Sequence, residues 1–323
     1  MTKHIYIYSP SGAVRDKAAF RRGIARLQTL GHEVEIDEAA LASHLRFAGD
    51  DETRLAAIHR AASSGADVAL ISRGGYGLTR ILDGIPYKRV AAAIDSGTQF
   101  VGISDFTAFQ CALLATTGAI SWAGPALCEG FGVGGKPGLM PDEVMEACFD
   151  DLLCGQGEGA GWRQHRMPSG TSTKLIAKND VASCTSLDFC INDACLWGGN
   201  LTVLTSLLAT RFFPQIKGGV LFLEDVGEHP YRIERMLTQL LHAGVLGQQK
   251  AIVLGQFTDY TLVSHDRGFK LQSVVDWLRV KAGTPVLTNL PFGHVATKVL
   301  LPVGATVDLS VEGRDALLAW GHL

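Results

Sequence analysis

Over the first 128 residues, short apolar runs alternate with stretches whose apolar positions recur every three to four residues. Ile5–Ser9, Val34–Asp37, Val68–Ser72 and Phe100–Ile103 have the length and β-branched content of strands. Ala18–Leu30, closed by Gly31, and Glu52–Ala62, opened by the capping residues Asp50 and Asp51, have helical spacing. Strands and helices taking turns in this way predict a mostly parallel sheet wrapped by helices, an α/β fold of Rossmann-like or flavodoxin-like type.

Between Phe131 and Gly161 the pattern gives way to Gly, Pro and acidic residues around one short amphipathic piece, Asp142–Leu153. Such a stretch reads as a linker, predicting an N-terminal domain over 1–130, a linker over 131–164 and a C-terminal domain over 165–323. The second half opens on β-like segments, Thr173–Ala177 and Leu187–Ile191. Helical stretches at Leu201–Ala209, Tyr231–His242 and Lys270–Lys281 then alternate with strands at Val220–Leu223, Ala251–Leu254 and Val299–Leu301. A mixed α/β domain with irregular strands is expected there.

Composition narrows the partners. At 323 residues, 47% hydrophobic and 19% charged, with a formal charge of −3, the chain lacks the basic footprint of a nucleic-acid or membrane-surface binder. The first residues alternate polar with apolar and then turn, which predicts a strand and not a signal peptide, and no apolar run is long enough to span a bilayer. Seven cysteines, none in a Cys-x-x-Cys pair and most inside apolar stretches such as Cys111 and Cys190, predict reduced, buried thiols and a cytoplasmic location. With no His-Glu-x-x-His, no paired cysteine spacing and no Asp-rich loop, no metal is expected.

Four places carry candidate chemistry. Ser104 follows the apolar run Val101-Gly102-Ile103 and precedes a helix through Phe109, Ala112 and Leu113. A strand-to-helix elbow exposes a nucleophile, and the next backbone N–H faces a developing oxyanion; the alternative is a helix cap, and Phe106 breaks the Gly-x-Ser-x-Gly pattern. Ser72-Arg73-Gly74-Gly75-Tyr76-Gly77 lets the backbone approach an anion, or simply turns. It lacks the spacing of a dinucleotide motif. Leu221-Phe222-Leu223 runs into Glu224, Asp225, Glu228 and His229, where a carboxylate orients an imidazole or caps the next helix. His294 stands in the apolar loop Leu290-Pro-Phe-Gly-His294, with His229 as a rival.

Together, Arg73-Gly-Gly-Tyr-Gly77, Gly102-Ile-Ser-Asp-Phe-Thr-Ala108, Leu196-Trp-Gly-Gly-Asn-Leu201, Leu223-Glu-Asp-Val-Gly-Glu-His-Pro230 and Phe292-Gly-His294 resemble the LD-carboxypeptidases, the murein tetrapeptide carboxypeptidases of bacteria. Arg46-Phe-Ala-Gly49 and Arg232-Ile-Glu-Arg-Met-Leu237 look like their cytoplasmic, cell-wall-recycling branch. The resemblance implies an N-terminal α/β domain supplying the serine, a C-terminal, barrel-like domain supplying Glu and His, an active site in the cleft between them, and commonly a homodimer. It places a Ser-Glu-His triad on Ser104, Glu224 and His294, needs no cofactor, and implies muropeptides ending in D-Ala as substrates. By this reading the oxyanion meets backbone N–H groups of Asp105 and of Gly74 or Gly75. Substrate contacts are expected at Arg73, Tyr76, Trp197, Asn200 and Arg232, the two arginines being candidates for the terminal carboxylate. Two other functions stay open: a microcin-immunity-type amidase acting on aminoacyl nucleotides, with Trp162 or Trp197 as a platform for the base, and a non-catalytic anion-binding module.

Overall fold

The computed structural model describes residues 2–165 and 188–323, so the expected strand Thr173–Ala177 lies outside the described residues. The chain divides into two compact units, each built from several stretches: residues 1–157, 207–214 and 296–304 in the first, and 158–206, 215–295 and 305–323 in the second.

In the first unit β1 (His4–Tyr8), β2 (Glu33–Ile36), β3 (Val68–Ile71), β4 (Gln99–Gly102) and β5 (Ser121–Ala123) are parallel, and β11 (Leu301–Val303) joins antiparallel to β5. The order is β11-β5-β4-β3-β1-β2. Val68–Ile71 reads as an unbroken apolar run because β3 is central and buried on both faces. β2 lies at the edge and alternates Glu with Val and Ile.

The helices α1 (Lys17–Thr29), α2 (Asp51–Ala61), α3 (Tyr87–Asp95) and α4 (Phe106–Thr117) connect these strands. Asp16 caps α1 through Ala18 N–H and Ala19 N–H at 2.8 and 2.9 Å, and Asp50 caps α2 through Thr53 N–H at 2.8 Å. In a doubly wound sheet, ligands gather beyond the carboxyl ends of the strands where the order reverses. Here that point lies between β1 and β3, whose following loops are Ser9–Gly12 and Ser72–Gly77.

The stretch 131–157, read from its composition as a linker, packs within the first unit. Its helix α5 (Glu143–Cys154) buries Met145, Phe149 and Leu153 at helical spacing. Phe149 meets Phe131 edge-on at 4.9 Å, and Glu146 takes a two-pronged hydrogen bond from Arg26 at 2.7 and 2.6 Å. The strand expected at Val299–Leu301 begins two residues later, as β11 (Leu301–Val303), and it completes the first unit's sheet instead of the second's.

The second unit holds β6 (Gly159–Arg163), β7 (Phe189–Asn200), α6 (Leu201–Ser206), β8 (Val220–Val226), α7 (Pro230–His242), β9 (Ala251–Thr258), α8 (Leu271–Lys281), β10 (Val286–Leu287) and the hairpin β12 (Thr306–Glu312) and β13 (Asp315–Ala319). Its sheet runs β10-β9-β8-β7-β12-β13-β6, parallel among β7 to β10 and antiparallel beyond. The two edges curl toward each other. Trp162 Nε1 in β6 donates to Thr288 O at 3.1 Å, and Asn289 Nδ2 donates to Arg163 O at 2.8 Å, which gives the barrel-like character.

Among the described residues no helix is long and apolar enough to cross a membrane. Cys111 is a buried free thiol as expected, but Cys190 is exposed, because it takes an outward position in the alternating β7.

Candidate active site

In the first unit, β4 ends at Gly102 and α4 begins at Phe106, leaving Ile103, Ser104 and Asp105 to turn the corner. Ser104 holds φ at +68°, a left-handed conformation that a side chain other than glycine adopts at a cost of about 1–2 kcal/mol. Gly102 makes room for the corner: a Cβ there would stand 2.6 Å from the ring of Phe106 and 2.8 Å from Ile71. Phe106 therefore replaces the glycine of the usual elbow pattern because its ring, stacked on Phe109 at 4.7 Å, fills the space beneath Gly102.

The glycine loop lies against this elbow. A Cβ on Gly74 would stand 2.6 Å from Ser104 Cβ and 2.8 Å from its Oγ, so only glycine allows the approach. Gly75 and Gly77 hold φ at +120° and +139°. The backbone N–H groups of Gly74, Gly75 and Asp105 donate to no group among the described residues, and α4 begins one residue after Asp105. The positive end of α4 and these unspent donors surround a half-buried hydroxyl. Arg73 is largely withdrawn, its guanidinium donating to Ala13 O at 3.4 Å and facing Glu129 at 3.5 Å. Tyr76 is exposed, with its ring between Phe47 at 5.9 Å and the Arg46 guanidinium at 5.6 Å.

In the second unit, Glu224 closes the apolar part of β8 and is 0% exposed. Its Oε2 bonds His294 Nδ1 at 2.8 Å, and its Oε1 accepts from Asn200 Nδ2 at 3.1 Å. Asn200 stands directly opposite Glu224 in the β7–β8 register. The loop carrying His294 is fixed by Gln256, whose N–H donates to Phe292 O at 2.9 Å and whose Nε2 donates to Leu290 O at 3.0 Å. Gly293, at φ +139°, lets the backbone pass within contact of Glu224. Next in β8, Asp225 is also buried, which pushes its carboxyl up from the ordinary range against the pull of Thr202, Val226 and Asn200 donors.

The rival acids and bases are occupied elsewhere. His229 caps α7 through Tyr231 N–H at 3.4 Å and bonds Asp266 at 3.1 Å, and Glu228 faces Arg232 at 3.6 Å. Two expected substrate contacts need correction. Trp197 is 0% exposed, since the end of β7 is covered on both faces, and its indole N–H donates to Gln249 Oε1 at 3.0 Å. Asn200 is buried, its amide shared between Glu224 and Asp225 and its Oδ1 accepting from Val203 N–H at 3.1 Å, so it holds the carboxylates instead of a ligand. Arg232 stays half-exposed on α7.

The first unit thus holds a strained serine beside unspent N–H donors, and the second an imidazole bonded to a buried carboxylate. Reading along the chain gave Asn200 a substrate contact and did not single out Gln256; the partners of these two side chains lie 24 and 34 residues away.

Comparison with known proteins agrees with these motifs. Residues 5–124 match the model of the LD-carboxypeptidase N-terminal domain, and residues 193–309 that of the LD-carboxypeptidase C-terminal domain. A probable murein peptide carboxypeptidase of Bacillus subtilis is 28% identical, with 91% of this chain and 85% of that protein aligned. The crystal structure of a muramoyltetrapeptide carboxypeptidase from Oxalobacter formigenes superposes with a TM-score of 0.81 at 36% identity, covering 98% of both chains. The microcin C7 self-immunity protein MccF shares the fold, with a TM-score of 0.79 at 21% identity over 100% of this chain and 97% of its own.

Proposed function

Because this chain belongs to the LD-carboxypeptidase family, we propose that it releases the terminal D-alanine of murein tetrapeptides, with Ser104 as nucleophile, His294 as its base and Glu224 as the orienting carboxylate. The observation that carries the reading is the buried Glu224 carboxylate on His294 Nδ1 at 2.8 Å. That bond fixes the tautomer in which the other ring nitrogen accepts a proton.

Ser104 Oγ attacks the carbonyl of the diamino acid while its proton passes to His294. Glu224 stabilises the imidazolium. The tetrahedral oxygen takes its hydrogen bonds from the N–H groups of Asp105 and of Gly74 or Gly75, donors worth about 3 kcal/mol each in such sites. The imidazolium then protonates the leaving amine of D-alanine, and water, activated by the same imidazole, hydrolyses the ester. Of the two arginines, Arg232 keeps the more accessible guanidinium and is assigned the terminal carboxylate.

Incubated with a tetrapeptide ending in D-alanine, an all-L analogue and an aminoacyl sulfamoyl adenosine, the enzyme is expected to cut only the first, as read by mass spectrometry. Arg232→Ala should raise KM about tenfold and spare kcat. Cleavage of the nucleotide alone would replace this reading with the microcin-immunity one. That alternative is disfavoured here because Trp162 and Trp197 are both buried, with their indole N–H groups bonded inside the second unit.

A methyl group on Gly74 must move the nucleophile. Gly74→Ala is expected to lower kcat about 10²-fold with an unchanged circular dichroism spectrum, and a wild-type rate would mean that the loop yields freely. The reading also carries a cytoplasmic location, a part in murein recycling and a homodimer. Cell fractionation and sedimentation test the location and the dimer, and retained D-alanine release in cell-free muropeptide pools after deletion of the gene would remove the recycling role.

A further inference from the structure

Asp105 occupies the N-cap position of α4, yet its side chain makes no capping bond. The carboxylate turns inward, is 2% exposed, and accepts from Ser11 Oγ–H and from Leu78 N–H, the latter at 2.9 Å. On the far side of the same peptide, the wholly buried Arg54 donates Nη1 to Gly77 O at 2.7 Å and to Pro10 O at 3.5 Å. Its Nη2 bonds the Asp51 carboxylate, and the Phe47 ring covers the guanidinium at 4.8 Å. Gly12 N–H adds a third restraint, on Gly74 O at 3.3 Å.

A helix cap is normally the cheaper use of an aspartate at that position. Burying a carboxylate and a guanidinium is a weak way to add stability, since desolvation cancels much of the attraction. What this pair does achieve is geometric: it grips one peptide of the glycine loop by both its N–H and its C=O, and one member of the pair is the residue bonded to the nucleophile. The elbow and the loop that faces it are therefore tied together through a single side chain.

We propose that Asp105 and Arg54 form a buried clamp that sets the distance between the glycine loop and Ser104, making Asp105 a positioning residue through its carboxylate as well as a backbone donor. The inference rests on the serine-peptidase reading above. A loop allowed to drift by about 1 Å misplaces the Gly74 and Gly75 donors against the oxyanion, and a displacement of that size costs about 10²-fold in rate. Ground-state binding of the peptide does not use those donors and is left alone.

The test compares Asp105→Asn, Ser11→Ala and Ser104→Ala in the full-length chain. Asp105→Asn is expected to lower kcat about 10²-fold with KM within about threefold, and to weaken a peptide boronic acid, whose boron takes the place of the scissile carbonyl carbon, by a similar factor. Ser11→Ala, which keeps the carboxylate and removes one restraint, should shift kcat and boronate affinity in the same direction by about tenfold, and it carries the test if the asparagine variant does not fold. The dissociation constant of uncleaved tetrapeptide should be the same for Ser104→Ala with and without Asp105→Asn. Wild-type kcat in both Asp105→Asn and Ser11→Ala, or a loss of peptide affinity that matches the loss of rate, overturns the clamp while Ser104→Ala stays inactive. Continued D-alanine release by Ser104→Ala would instead end the serine-peptidase reading.

Discussion

Exchanging Ser104 for glycine will stop D-alanine release and, in the same protein, raise the melting temperature. The hydroxyl is the proposed nucleophile, and loss of such a group lowers kcat by about 10⁴–10⁶-fold in serine peptidases. The gain in stability comes from φ +68°, where a Cβ is penalised and glycine is not. Subtracting glycine's greater freedom in the unfolded chain leaves about 1 kcal/mol, or about 2–4 °C. Ser104→Ala keeps the Cβ and should be equally inactive without the stabilisation. The pair of variants separates chemistry from strain: an inactive glycine variant that melts no higher would show that the elbow is relaxed, and an active one would remove Ser104 from the mechanism. Steady-state release of D-alanine and a thermal melt are the two measurements.

The second large effect is expected at Glu224, where substitution by glutamine keeps the size and removes the charge. The carboxylate now accepts from His294 Nδ1–H and from Asn200. An amide offers His294 an N–H as readily as an oxygen, and once it does so the imidazole must carry its proton on the nitrogen that has to accept from the nucleophile. The imidazolium of the transition state also loses its counter-charge. Together these effects should lower kcat by about 10³–10⁴-fold with KM within about threefold. Because the side chain is 0% exposed and still bonded, circular dichroism should be unchanged. A rate within tenfold of wild type would mean that Glu224 does not govern the histidine.

Much of this was legible along the chain, for reasons that lie in particular residues. β3 announced itself because a strand covered on both faces must be apolar throughout, and α2 because Asp50 supplies its cap. Glu224 and His294 stood out as ionisable groups set against apolar flanks. The stretch 131–157 misled because its exposed Gly and Pro residues outnumber the one stripe that packs, Met145, Phe149 and Leu153. Trp197 misled because a tryptophan beside two glycines looks available, whereas β7 is buried on both faces at that point. What no local pattern contains is register. Asn200 meets Glu224 only because β7 and β8 pair at that offset, and β11 joins β5 across some 180 residues of intervening chain.

That last pairing bears on how the protein is made. A nascent chain emerges N-terminal end first, and a domain ordinarily folds once its own residues are out, at about 5–20 residues per second. The sheet bearing Ser104 has to wait for Leu301–Val303, and until then β5, with the buried Trp122, is left as an open edge of the kind that invites wrong partners. The serine's sheet is thus completed only after Glu224 and His294 have been synthesised.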